Sequence, residues 1–306
     1  MLFSSSTGHS PDRSRWRTDK TRRRLLAAVI GILAAASLIG GTPPVAAQVL
    51  PTPRAFVSNL DLECFGTNPY QPPATNLTLR HLNPALAGLP IEQVTLGPRV
   101  QLCVPVAKNN VIPPPDVLAF IRFVDLACYR IIGPTVNQPL ALRHLNPVLQ
   151  NLPGQSIVMG TPAQLCVPVA KNNLNPPAEV LRLISHIDLK CYTITPNNPL
   201  NITLNLRQLN PVLGHIPAAD VQVRYARQLC VPVQKAGDVI PPEILNIVRW
   251  IDLEKFDIIA PTVPTTTLAL RHLNPVLGHL PPESATLTTR QQLAVPVAKN
   301  GMIPPG

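Results

Sequence analysis

The stretch Leu140-Ala-Leu-Arg-His-Leu-Asn-Pro147 decides the reading, because the chain says it four times. It recurs at Leu77–Pro84, Leu204–Pro211 (with Gln208 for His) and Leu268–Pro275. The motif arginines Arg80, Arg143, Arg207 and Arg271 stand 63, 64 and 64 residues apart. A second phrase keeps the same step: Gln-Leu-Cys-Val-Pro-Val from Gln101, Gln164 and Gln228, then Gln-Leu-Ala-Val-Pro-Val from Gln292. A fixed period of this kind defines architecture before any local propensity does.

Outward from the motif, each period reads as strands. Val124-Asp-Leu-Ala-Cys-Tyr-Arg-Ile131 alternates and is rich in β-branched and aromatic residues. Leu140–Leu145 alternates too and is ended by the turn pair Asn146-Pro147. A short third strand is predicted at Ile157–Met159 or Val221–Val223. The late phrase Gln164–Val169 is a strand whose Pro168 places it at an edge or a bulge. The early Cys shares a face with leucines, whereas the late Cys lies opposite Leu165, Val167 and Val169; a bulge or two buried faces would reconcile them. Between periods, Pro114–Phe123, Pro177–His186 and Pro242–Trp250 open with proline and carry apolar residues three and four apart, which predicts three short helices. The fold expected is mainly β, with four tandem small β-rich modules of about 64-residue period joined by three short helices. The modules fall at 60–123, 124–186 and 187–250, each with its linking helix, and at 251–306, which has no cysteines; 48–59 is an irregular lead-in.

The six cysteines fit this period. Each of the first three modules has an early and a late Cys, separated by 39, 38 and 39 residues, and in the fourth Lys255 and Ala294 replace both. Six cysteines allow about fifteen pairings. Joint loss inside one module selects Cys64–Cys103, Cys128–Cys166 and Cys191–Cys230, since pairing between modules would strand thiols elsewhere. Closing such a loop stabilises a module by roughly 4 kcal/mol in the chain-entropy model, and a unit of about 55 residues has a thin core that needs it. No Cys-x-x-Cys knuckle occurs, so zinc is not expected.

Composition and charge narrow the function classes. The net charge is +10, but residues 1–47 hold seven Lys/Arg against Asp12 and Asp19, half of the surplus. No basic stripe remains, which argues against a nucleic-acid partner. Those residues read as a signal peptide: Arg22-Arg-Arg24, an uncharged run from Leu25 to Gly41, then Thr42-Pro-Pro-Val-Ala-Ala47. Thr21-Arg-Arg-Arg-Leu-Leu26 also fits twin-arginine export, beside an ordinary Sec signal. Membrane attachment would come only through an uncleaved signal. The chain is thus expected to be secreted or extracytoplasmic.

The recurring polar residues are the candidate site residues. Asp61, Asp125, Asp188 and Asp252 recur in the first strand and Arg80, Arg143, Arg207 and Arg271 in the second. The structural reading pairs each Asp with an Arg fork; the functional reading is an anion site repeated four times. His81, His144 and His272 share one slot, where Gln208 stands in the third copy, and are read as scaffold residues because glutamine cannot act as a base. Lys108, Lys171, Lys235 and Lys299 close the last strand, with Asn109, Asn172 and Asn300 after three of them. These lysines are the candidate binding residues, a loop tip able to touch a cell-wall or extracellular polymer, or else a solvated turn. No catalytic motif, phosphate loop or dinucleotide fingerprint is present. No metal or other cofactor is expected.

Cys-Tyr-x-Ile at Cys128 and Cys191, the middle Leu-x-Leu strand and Leu-Cys-Val-Pro-Val-x-Lys-Asn resemble an uncharacterised repeat domain of exported bacterial proteins, over roughly residues 60–301. Phe65 and Phe256 depart from its tyrosine, and the fourth copy lacks both cysteines. The resemblance implies export and modularity and carries no activity. The function expected is a structural or multivalent binding role without catalysis, with repeated weak contacts summed by avidity. A glycan-binding adhesion protein and a hydrolase with an inter-module site are the alternatives.

Overall fold

The computed structural model describes residues 49–306, so the expected signal lies outside the described residues. In chain order the elements are α1 (Pro53–Ser58), β1 (Leu62–Tyr70), β2 (Asn76–His81), β3 (Glu92–Thr95), β4 (Arg99–Lys108), α2 (Pro115–Ile121), β5 (Leu126–Arg130), β6 (Gln138–His144), β7 (Gln155–Lys171) and α3 (Ala178–Ile184). They continue with β8 (Leu189–Thr195), β9 (Pro199–Gln208), β10 (Ala219–Lys235), α4 (Pro242–Val248), β11 (Leu253–Ile259), β12 (Thr266–His272) and β13 (Glu283–Lys299). The protein is mainly β, and the strands join one large antiparallel sheet.

Early and late strands alternate around a ring. β1 pairs β4, β4 pairs β5, β5 pairs β7, β7 pairs β8, β8 pairs β10, β10 pairs β11, β11 pairs β13, and β13 returns to β1. The ladder therefore closes on itself, which removes the edges of those eight strands. The middle strands cross to the diagonally opposite copy. β2 pairs β10 and β9 pairs β4, while β6 pairs β13 and β12 pairs β7. The boundaries at 60, 124, 187 and 251 mark copies in the sequence, but hydrogen bonds run across every one of them.

Both faces of the ring strands are buried, which resolves the opposed Cys and Leu-Val-Val faces. Leu62, Leu126, Leu189 and Leu253 point inward with the cysteines, and the apolar sides of all four helices close that end. Outward, Leu102, Val104, Leu165 and Val167 lie under β2 and β12. Leu229, Val231, Leu293 and Val295 lie under β6 and β9. Each of these three clusters draws on all four copies, in place of the thin core expected for each module. The reason is geometric: a strand apolar on both faces needs cover on both, and one unit cannot supply it.

Two local expectations are corrected. Residues 53–58 are a fourth helix and not an irregular lead-in. Thr52 caps it by accepting from the Ala55 amide, Pro53 fits its first turn, and it packs on α2 and α4. The short third strand is not separate from the late phrase in copies two to four, where one 17-residue strand runs through both. In copy one Leu96-Gly97-Pro98 interrupts it between β3 and β4.

Candidate functional site: four buried charge centres, one incomplete

The disulfides are Cys64–Cys103, Cys128–Cys166 and Cys191–Cys230, each joining directly opposed residues within one copy. Neighbouring bridges touch inside the ring, with Cys103 Sγ 3.7 Å from Cys128 Sγ and Cys166 Sγ 3.8 Å from Cys191 Sγ. Such bonds place the protein in an oxidising, extracytoplasmic environment. At the same level of the fourth copy, Lys255 faces Ala294.

Lys255 reaches across the interior. Its Nζ donates to Gln101 Oε1 at 2.6 Å and Gln164 Oε1 at 3.0 Å, on β4 and β7. Burial pushes its amine down to about 7, with the Asp257 charge pulling the other way. The late-phrase glutamines sit one step farther from the helices than the cysteines. Gln101 donates to Gln292, and Gln292 donates to Asp257. A cavity of about 790 Å³ is lined by Gln164 and Gln228 together with Gln93, Thr95, Arg130 and Ile132.

The recurring aspartates do not pair with the arginines. Asp61 pairs Lys108, Asp125 pairs Lys171, Asp188 pairs Lys235 and Asp252 pairs Lys299. Arg80, Arg143, Arg207 and Arg271 lie on the exposed side of the middle strands, because the leucines beside them take the buried side. All four lysines are at most 1% exposed, so they are no loop tip. Burial pushes Asp61 up and Lys108 down, and their contact opposes both shifts. The Asn of each Asn-Pro turn completes the knot of the copy before it. Asn146 donates to Asp61 at 2.5 Å, Asn210 to Asp125 at 2.9 Å, Asn274 to Asp188 at 3.1 Å, and Asn83 to Asp252 at 2.6 Å. The same asparagines accept from the amide two residues on, which starts the turn. After the lysines, Asn109, Asn172 and Asn300 adopt positive φ and accept from the Asn205, Ala269 and Ala141 amides of the crossing middle strands.

The histidines belong to a second set of buried centres that no all-copy motif reveals. Each lies where a middle strand crosses an aromatic residue of the ring. At Tyr192 the partners are His81 at 2.8 Å and the ion pair Glu92–Lys190. At Tyr129 they are His272 at 3.2 Å and the pair Glu283–Arg99 at 2.8 Å. At Phe65, Glu63 pairs Arg290 at 2.8 Å and accepts from Gln208 at 2.6 Å. Every one of these glutamates has an internal cation. The cation comes from one of two slots: the residue two before the aromatic (Lys190), or the residue two before the late-phrase glutamine (Arg99, Arg290). That migration hides the pattern from a search for residues common to all copies.

The fourth centre, at Phe256, has the carboxylate and, among the described residues, no cation paired with it. Glu254 occupies the slot of Lys190, and Ala226 occupies the slot of Arg99 and Arg290. Glu254 is fully buried, and the Gln155 Nε2 donates to both its oxygens, at 2.5 and 2.7 Å. Burial without a cation raises its carboxyl to about 8. His144 packs on Phe256 with ring centroids 6.0 Å apart, and the phenyl ring offers it no hydroxyl. A cavity of about 200 Å³ opens here, lined by His144, Gln155, Asn198, Leu200 and Phe256. Family models, curated proteins and solved structures give no match to this chain.

Proposed function

We propose that this chain is a secreted or cell-envelope protein with a structural or binding role and no catalysis. Its four copies of an approximately 64-residue unit read as duplicates that became interdependent through strand exchange. The same phrases support kinship with the uncharacterised repeat domain of exported bacterial proteins. One observation carries the reading: the polar groups that recur in every copy, aspartate, lysine and turn asparagine, are consumed in internal knots. Multivalent contact through the four lysines is therefore set aside. The surface left for a partner is the large cavity beside Gln164 and Gln228, where Gln228 Oε1 is buried and has no hydrogen-bond partner among the described residues.

The glycan reading is favoured by that lining. Amides at Gln93, Gln164 and Gln228 suit hydroxyl groups, and Leu96, Pro98 and Ile132 give an apolar floor. The test is co-sedimentation of residues 48–306 with isolated cell wall, with a broad hydrolase screen alongside. Retention that falls about tenfold in a Gln164→Ala, Gln228→Ala double variant supports the reading, as expected for loss of one or two hydrogen bonds. Retention unchanged in that variant overturns the cavity as the site, and turnover of any wall polymer overturns the absence of catalysis.

A further inference from the structure

We propose that the centre at Phe256 is a binding site for a small primary ammonium ion, which supplies from solution the cation that the other three centres carry internally. The site is distinct from the large cavity and does not rest on the reading above.

The sister centres define what is missing. Lys190 Nζ stands 4.8 Å from the Tyr192 ring centroid while it pairs with Glu92, and the Arg290 guanidinium stands 5.7 Å from the Phe65 centroid while it pairs with Glu63. Each therefore combines a carboxylate, an aromatic face and a cation between them. Around Phe256 the carboxylate of Glu254 and the aromatic face are present, and Ala226 leaves out the side chain that fills this place elsewhere. The slot that holds His144 here holds Gln208 in the Phe65 centre, and from it Gln208 reaches Glu63 at 2.6 Å. A donor group placed between Glu254 and His144 can thus bond both.

The lining points to a hydrogen-bond donor. His144 is 6% exposed and its ring borders the cavity; its Nδ1 is buried without a partner among the described residues, as are those of His81 and His272, and what sets it apart is that their rings each meet a tyrosine hydroxyl whereas Phe256 offers none. Burial and the Lys108 charge hold its imidazole down at about 4, so at neutral pH one ring nitrogen is a free acceptor. The Gln155 amide occupies the cation's place over Glu254 as a neutral substitute and borders the cavity, so it is the group that an entering ammonium displaces. A volume of about 200 Å³ admits methylammonium or ethanolammonium, and because Gln155 lines the cavity while Glu254 does not, the ion meets the carboxylate as the Gln155 amide moves aside.

The experiment is thermal unfolding of residues 48–306, disulfides intact, at pH 9, where Glu254 is ionised and methylammonium is still a cation, in methylammonium chloride against sodium chloride and tetramethylammonium chloride at equal ionic strength. The expected result is a saturable rise in Tm with methylammonium alone. The apparent affinity should fall about tenfold or more in Glu254→Gln, which removes the charge but keeps a polar partner. Ala226→Arg, which installs the internal cation of the other centres, should unfold at a higher temperature than wild type and ignore methylammonium. An equal response to sodium or tetramethylammonium overturns the site. So does an undiminished methylammonium response in either variant, and Ala226→Arg keeps the test decisive if Glu254→Gln does not fold.

Discussion

Asn83 and Asp252 are 169 residues apart in sequence and are joined by a hydrogen bond of 2.6 Å. The bond is the fourth of a cyclic set in which the turn asparagine of each copy caps the aspartate of the copy before it. Asn83 belongs to the first copy and Asp252 to the last, so this contact and the β1–β13 ladder close the ring.

Replacing Asn83 by Ala leaves Asp252 buried with one partner fewer. The cost should be about 1–3 kcal/mol, the penalty for a buried acceptor left short, measured by denaturant unfolding at pH 7. Asn146→Ala should cost a similar amount, since Asn146 does the same for Asp61 at an internal boundary. A large effect at Asn146 and none at Asn83 would mean that the seam between the last and first copies is open.

The lysine knots and the exposed arginines should separate cleanly on mutation. Lys108→Met leaves Asp61 buried without its cation and should cost about 3 kcal/mol or more. Arg143→Ala, on the exposed side of β6, should stay within about 0.5 kcal/mol. Comparable losses at both positions in urea unfolding would contradict the assignment of structural and surface roles.

Much of this was legible in the sequence. The joint absence of both cysteines from copy four gave the disulfide pairing, and alternation gave the strands, because both are local or within one copy. The exchange of middle strands between diagonal copies was not legible, since Leu77–His81 carries nothing that says whether it pairs within its copy or with β10. The Asp–Lys pairing is not legible for a related reason. Asp61 and Lys108 lie 47 positions apart in sequence, and only the ring's register brings Lys108 inward. The glutamate centres were least legible, because their cation moves between slots from copy to copy.

Glu254 and Lys255 predict an unusual pH profile. Glu254 is raised from 4.5 to about 8, so the folded state holds a proton that the unfolded chain has released, and stability falls as pH rises from about 4.5 to 8. Lys255 is lowered from 10.5 to about 7, so the unfolded chain binds the extra proton, and stability recovers as pH rises from about 7 to 10.5. The two together place a minimum between about pH 7 and 8. Glu254→Gln should gain on wild type as pH rises toward 9, and Lys255→Met should gain most near pH 6, each at up to about 1.4 kcal/mol per pH unit. Unfolding midpoints from pH 5 to 9 check this, and parallel curves for the wild type and both variants would contradict it.

The vacant fourth staple can be installed. Lys255 and Ala294 oppose each other across β11 and β13 as the cysteine pairs do in the other copies. Lys255→Cys with Ala294→Cys should form a fourth disulfide, seen as loss of two free thiols, and raise stability by up to about 4 kcal/mol for a loop of this length. Free thiols that persist after oxidation would contradict the shared register.

Removing the last copy tests the closed ring most directly. Without residues 251–306, β1 and β10 lose ring neighbours, β6 and β7 lose their diagonal partners, and Asp188 loses Asn274. Residues 48–250, with all three disulfides oxidised, should show no cooperative thermal transition and lose their near-ultraviolet circular dichroism. A cooperative transition in that shortened chain, with its near-ultraviolet spectrum retained, would contradict the ring and return the protein to a row of independent units.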